Sequence, residues 1–217
     1  MSVHLTATKD PSSRRVGFGV YTLVICEKPD AARRVADALS SGAPEIFRVG
    51  DVPAFRLEDE GGRRYVICAA MGHLYGISDT VKDRRVYPAL DLEWFPLGTV
   101  SDKAAKLVSS RIRAIRSLSD EASAFVNACD FDIEGETIGY NILRYACGGK
   151  ESSASRAKFS SLTKEEVVEA FNGSRPGSTD ALARAGRLRH AIDFVWGVNL
   201  SRRRHQRGRS ILGFQLS

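Results

Sequence analysis

The chain has 217 residues, 43% hydrophobic and 27% charged, an ordinary globular composition that suits one large domain, or one domain and part of another. No apolar run reaches the ~18 residues that a membrane helix needs, and residues 1–20 carry no apolar signal core, so a membrane span and secretion are excluded and a cytoplasmic place is expected. The net charge of +6, from 32 basic and 26 acidic residues, points modestly to a polyanionic partner.

Residues 1–20 read as a polar, flexible leader. "YTLVIC" follows, a β-branched apolar run with the pattern of a buried strand, stopped by Glu27-Lys28-Pro29. Ala31, Ala32, Val35, Ala36 and Leu39 then share one helical face, with Asp30 at its start and Gly42 beyond its end. Residues 45–74 predict a pair of strands around the turn Asp59-Glu60-Gly61-Gly62. Leu107, Val108, Ile112, Ile115 and Leu118 predict a helix, "ASAFVNACD" a second buried strand, and Ile133 to Ala146 another helix. "RAKFSSLT" predicts a third, short strand, and Thr163 with Glu166 has the spacing of a capping box at the start of a further helix. Residues 173–180, rich in Gly, Pro and Ser, mark the best boundary. Beyond it Leu182, Ala185, Leu188, Ile192, Val195 and Asn199 predict a long helix. Strands alternating with helices imply an α/β fold with a Rossmann-like central parallel sheet.

The four cysteines, Cys26, Cys68, Cys129 and Cys147, lack zinc-site spacing, and three lie in apolar runs, which suits buried, reduced thiols. From Arg184 onward the chain holds eight arginines and one acid, Asp193. A solvated basic tail is the plain reading of Arg202 to Arg209. The guanidinium fork, which matches phosphate oxygens, favours phosphate contact.

The unusual stretch is "NACDFDIEGETIGYNIL", with Asp130, Asp132, Glu134 and Glu136 at alternating positions. Asp130 follows the second apolar strand as Glu27 follows the first, and ligand sites of open α/β sheets lie at such strand ends. Crowded carboxylates raise one another's pKa unless a cation neutralises them, and an all-oxygen set suits a hard ion such as Mg²⁺. Glu136, and in part Glu134, also reads as a first-turn acid favoured by the helix dipole.

"LVICEKPDAARRVADAL" together with "ACDFDIEGETIGYNIL" resembles the TOPRIM domain, a glutamate after one strand and Asp-x-Asp after a later one. "MGHLYGI", "SRAKFSSLTKEEVVEAF" and "RHAIDFVWGVNLSR" resemble segments of type IA DNA topoisomerases, nearest to archaeal enzymes of the topoisomerase III kind or to the topoisomerase half of reverse gyrase. The resemblance implies an ATP-independent enzyme that cuts one DNA strand through a 5′-phosphotyrosine, passes a strand and religates. It implies that Glu27 is the catalytic acid and Lys28 lies by the scissile phosphate. It further implies Mg²⁺ held by Glu27, Asp130, Asp132 and Glu134, and single-stranded DNA contacted by Arg156, Arg189, Asp193 and Arg202. Asp193, one turn after Arg189, would orient it as an (i, i+4) pair.

On this reading residues 1–20 are a leader, 21–172 the TOPRIM domain and 180–217 the incomplete beginning of the next topoisomerase domain. The resemblance stops near Gly213-Phe214-Gln215, and none of the six tyrosines stands in the family's nucleophile context. The expectation is therefore the metal-binding, DNA-contacting amino-terminal part of such an enzyme, the tyrosine domain belonging to a longer protein of which this is a piece, lost from a truncated gene, or carried by a separate chain. The alternatives are a stand-alone TOPRIM metal-dependent nuclease or a non-catalytic nucleic-acid-binding fragment.

Overall fold

The computed structural model describes residues 18–81, 83, 85–97, 102–176 and 180–213, with the backbone alone for residues 102, 180 and 206–213. Nearly all of the expected leader lies outside these residues. The elements in chain order are β1 (Tyr21–Cys26), α1 (Pro29–Leu39), β2 (Glu45–Val49), β3 (Val52–Glu58), β4 (Arg64–Ala69), β5 (Tyr75–Asp79) and β6 (Leu92–Pro96). Then come α2 (Asp102–Ser119), β7 (Ala122–Asn127), α3 (Ile133–Asn141), β8 (Ser155–Arg156), α4 (Lys164–Asn172), β9 (Arg175–Pro176) and α5 (Asp180–Gly213).

The seven-stranded sheet runs β2-β3-β4-β1-β7-β8-β9. Its centre, β4-β1-β7-β8, is parallel, as the strand–helix alternation predicts, while β2, β3 and β9 add antiparallel edges. The central strands are apolar on both faces because both are covered. Leu23 and Ile25 of β1 join one core with Ile112, Ile115 and Leu118 of α2 and Ile138 of α3. Val24 and Cys26 point the other way, into a core with Ala32 and Val35 of α1 and Val167 and Phe171 of α4. The period of two along one strand thus feeds two cores. All four cysteines are buried free thiols, and desolvation pushes their pKa values up, that of Cys147 to about 12.

Several local expectations need correction. Residues 45–69 make three strands rather than two, because Gly50, at φ 61°, turns the chain between β2 and β3. The β3–β4 turn is where it was expected: Asp59 Oδ1 accepts the backbone N–H groups of Gly61 and Arg63, both at 2.9 Å. β5 and β6 pair as a separate antiparallel ribbon. The third strand is only Ser155–Arg156. α3 gives way to a π-helical turn over Ile142–Ala146, closed by Cys147 N–H on the Ile142 carbonyl at 3.0 Å. Thr163 makes no side-chain cap. The Glu166 carboxylate instead accepts from the Ser160 and Ser161 hydroxyls, which holds its pKa down to about 2.

α5 also differs from its expected face. Leu188 and Ile192 point outward, continued by Trp196 and Leu200, while Ala183 and Gly186 are buried and His190, Phe194 and Asn199 are half-buried. Gly186 decides this. A Cβ there would come 2.0 Å from Thr137 Oγ1 and 2.9 Å from the Ile133 carbonyl oxygen, so only a glycine lets α5 lie this close to α3. Asn199 adds a second anchor: its side chain accepts from Ala89 N–H at 2.7 Å and donates to the Ala89 carbonyl at 3.1 Å.

Candidate functional site at the carboxyl ends of the central strands

β4, β1 and β7 end along one edge of the sheet, and each passes into a loop that carries polar side chains. β1 is followed by Glu27 and Lys28. β7 is followed by Asp130 and Asp132. The loop after β4 contains Met71, held at φ 60°, Gly72 at φ 96°, and then His73. A left-handed conformation at a non-glycine residue is costly and collects at functional sites. Here the Met71 carbonyl accepts from Arg111 at 3.4 Å and its N–H donates to the Glu27 carbonyl at 2.9 Å.

Glu27 and Asp130 converge on one ammonium. Lys28 Nζ lies 3.3 Å from Glu27 Oε1 and donates to Asp130 Oδ2 at 2.7 Å. The Asp130 hydrogen bond, reinforced by the charges of Glu27 and Asp130, raises the Lys28 pKa. Asp132 is exposed and caps α3, its Oδ1 accepting from Gly135 N–H at 2.7 Å. Gly135 is required at that spot, since a Cβ would meet the Asp130 carbonyl oxygen at 2.3 Å.

Glu134 turns away from these acids. Its Oε2 lies 3.1 Å from His73 Nε2 and 3.1 Å from His190 Nε2, and its Oε1 lies 3.4 Å from Arg189 Nη1. Burial works to raise the Glu134 pKa. The His190 hydrogen bond and the charges of His190, His73 and Arg189 outweigh it, leaving the carboxyl below its ordinary value. Among the described residues, His73, Glu134 and His190 bring three metal-ligating atoms within 4.8 Å of one another. Neither histidine had an expected role. The signals were there, His73 in the Gly-His-Leu segment and His190 beside Arg189, but nothing in one dimension joins residues 73 and 190.

The arginines separate into two kinds. Arg189 is largely exposed, 3.8 Å from Asp193 Oδ2 in the (i, i+4) relation that the sequence suggested. Arg156 and Arg202 both have protein partners and little exposure. The Arg156 side chain is wholly buried against Glu136, Nε to Oε1 at 2.6 Å, and donates to the backbone carbonyls of Asn127, Ala157 and Asp130. It is a strut beneath the acidic loop. Arg202 is largely enclosed. It donates to the Val86 carbonyl at 2.6 Å and lies 2.7 Å from Asp79, an ion pair without hydrogen-bond alignment, so it ties α5 to β5.

Glu136 is likewise no exposed first-turn acid. It is 1% exposed, and desolvation raises its pKa against the opposing pull of Arg156. Asn127, fully buried, links the pair to β7 by donating to Glu136 Oε2 at 3.4 Å and accepting from Cys129 N–H at 3.1 Å.

The family model for the Toprim domain matches residues 22–162. The chain is 40% identical over 180 residues to DNA topoisomerase 1 of Pyrococcus horikoshii, covering 83% of this chain and 26% of that protein. It is 41% identical over 180 residues to the protein of the same name from Pyrococcus furiosus, covering 83% and 17%, and 41% identical over 182 residues to that of Methanocaldococcus jannaschii, covering 83% and 23%. The chain thus spans about a quarter or less of the length of these relatives. Toprim domains are metal-binding, and among the described residues no helix is long and apolar enough to cross a membrane. A mixed sheet with a parallel centre, acidic side chains at its carboxyl edge and the match over residues 22–162 all agree: the chain belongs to the Toprim domain family.

Proposed function

We propose that the chain binds Mg²⁺ and single-stranded DNA within a type IA topoisomerase reaction, and that the tyrosine nucleophile is supplied by a further domain or a separate chain. The domain division that goes with this is Toprim over 21–172 and the start of a helical domain from 180. A cytoplasmic place is part of the same reading. The carrying observation is the convergence of Glu27 and Asp130, from adjacent parallel strands, on the one Lys28 ammonium.

That convergence also supports the cation. Glu27 and Asp130 already share one positive group, Asp132 is exposed two residues further on, and three carboxylates make an all-oxygen donor set suited to a hard divalent ion. Glu27, Asp130 and Asp132 would hold it, and Glu134 in its present rotamer would not. The bound ion would supply charge neutralisation for the acidic set and the nearby phosphate. Glu27, mostly shielded from solvent, would donate a proton to the leaving 3′ oxygen on cleavage and recover it on religation. Lys28, its charge secured by Asp130, would meet the scissile phosphate. Arg189, steadied by Glu134 and Asp193, would grip a neighbouring phosphate.

Thermal melts with and without Mg²⁺ test the site. The wild type is expected to melt higher with Mg²⁺, as any ligand of the folded state requires. Asp130→Ala/Asp132→Ala is expected to lose that rise. An equal rise in both proteins would remove the assignment.

A further inference from the structure

Three donor atoms from three distant parts of the chain meet on one side of the acidic edge. His73 comes from the loop after β4, Glu134 from the first turn of α3 and His190 from the middle of α5. Both imidazoles address the same carboxylate oxygen, each Nε2 at 3.1 Å from Glu134 Oε2. A carboxylate can only accept, so in this arrangement both rings present Nε2–H to it. Two donors crowd one acceptor oxygen, and each Nε2–Oε2 separation of 3.1 Å is close to the edge of a coordination tetrahedron, with all three atoms inside 4.8 Å. Ligand bonds of about 2.0–2.1 Å in a tetrahedron put neighbouring donor atoms about 3.3 Å apart.

We propose that His73, His190 and Glu134 form a site for a borderline divalent transition cation such as Zn²⁺, separate from the all-oxygen set of Glu27, Asp130 and Asp132. Two imidazole nitrogens and one carboxylate oxygen favour Zn²⁺ and its neighbours over Mg²⁺. On binding, each Nε2 gives up its proton, to Nδ1 of the same ring or to bulk water, so that the neutral ring carries its proton on Nδ1 and offers Nε2 to the ion. The side chains of His73, His190 and Glu134 are 29%, 32% and 41% exposed, so the ion can enter and a fourth position stays open to water. The supports are in place: the His190 ring lies against Trp94 at 5.7 Å and His73 at 5.4 Å, and Arg189 approaches the second Glu134 oxygen at 3.4 Å. Outer contacts of this kind orient metal ligands.

The site would join α5 to the sheet edge. An ion there stabilises the docked position of α5 and keeps Glu134 turned from Asp130 and Asp132. The proposal holds whether or not the chain acts on DNA.

Calorimetric titration of the whole chain with Zn²⁺, in excess Mg²⁺, tests it. One equivalent is expected to bind the wild type and, with similar affinity, Asp130→Asn/Asp132→Asn. His73→Ala and His190→Ala are each expected to weaken binding at least about tenfold, a loss at the low end of what even an outer-contact mutation causes. His73→Ala lies in a loop and keeps the test usable should His190→Ala disturb α5. No binding, equal affinity in both histidine variants, or loss of binding in the aspartate variant would overturn the proposal.

Discussion

At the scale of single residues, Arg156 and Glu136 carry the largest consequence. Both side chains are out of contact with solvent, 0% and 1% exposed, and 2.6 Å apart. Removing one partner of a buried pair leaves the other charge unneutralised, at a cost of about 3–5 kcal/mol. Arg156→Met is therefore expected to destabilise by that amount in a urea melt, and Arg156→Met with Glu136→Leu to recover much of it. If the double variant were no more stable than the single one, the backbone carbonyls of Asn127 and Asp130, rather than Glu136, would be what Arg156 serves. Arg189 is the opposite case, an exposed guanidinium near Glu134 and Asp193, and in the proposed phosphate contact its geometry should matter more than its charge. Arg189→Lys keeps the charge and loses the planar fork. It is expected to weaken binding of a short labelled oligonucleotide by several-fold in fluorescence anisotropy, with the salt dependence nearly unchanged. Wild-type affinity in the lysine variant would reduce Arg189 to a diffuse cation.

At the scale of elements, α5 is held less by apolar burial than by closeness. Its inward face buries only Ala183 and Gly186 and half-buries a mixed set that includes His190, Phe194, Val195 and Asn199, while Leu188, Ile192, Trp196 and Leu200 lie exposed. Arg187 adds a polar anchor, donating to Tyr145 Oη at 3.1 Å with its guanidinium 4.7 Å from the Trp94 ring and 5.0 Å from the Tyr140 ring. Two glycine-to-alanine changes on this helix should act in opposite directions. Gly186→Ala drives a methyl into Thr137 and Ile133 and is expected to cost about 1–3 kcal/mol, with faster hydrogen exchange along α5. Gly197→Ala meets nothing within 4 Å and gains helix propensity, up to about 1 kcal/mol. Equal effects of the two variants on the melting temperature would show that α5 does not need its close approach to α3.

At the scale of the whole molecule, the topology turns a chain with its acids a hundred residues apart into one edge. β1 is central because β4 pairs it on one side and β7 on the other. Glu27, Asp130 and His73 therefore leave adjacent strands. The sequence by itself determined the parallel centre, because strands apolar on both faces and alternating with helices have no other economical packing. It also determined Glu27 and Asp130 as neighbours, since both follow buried strands, and the pairing of Arg189 with Asp193, which is local helical geometry. The tertiary structure alone decided which charges face water. Arg156 and Glu136 carry no sign of burial in their own segments; each is enclosed because the other neutralises it across β8 and α3. It alone decided the face of α5, where close approach at Gly186 overrode the apolar spacing of Leu188 and Ile192. It alone brought His73 and His190 to Glu134, because three separate elements must be packed before those atoms meet, and local sequence carries no record of contacts that only packing creates.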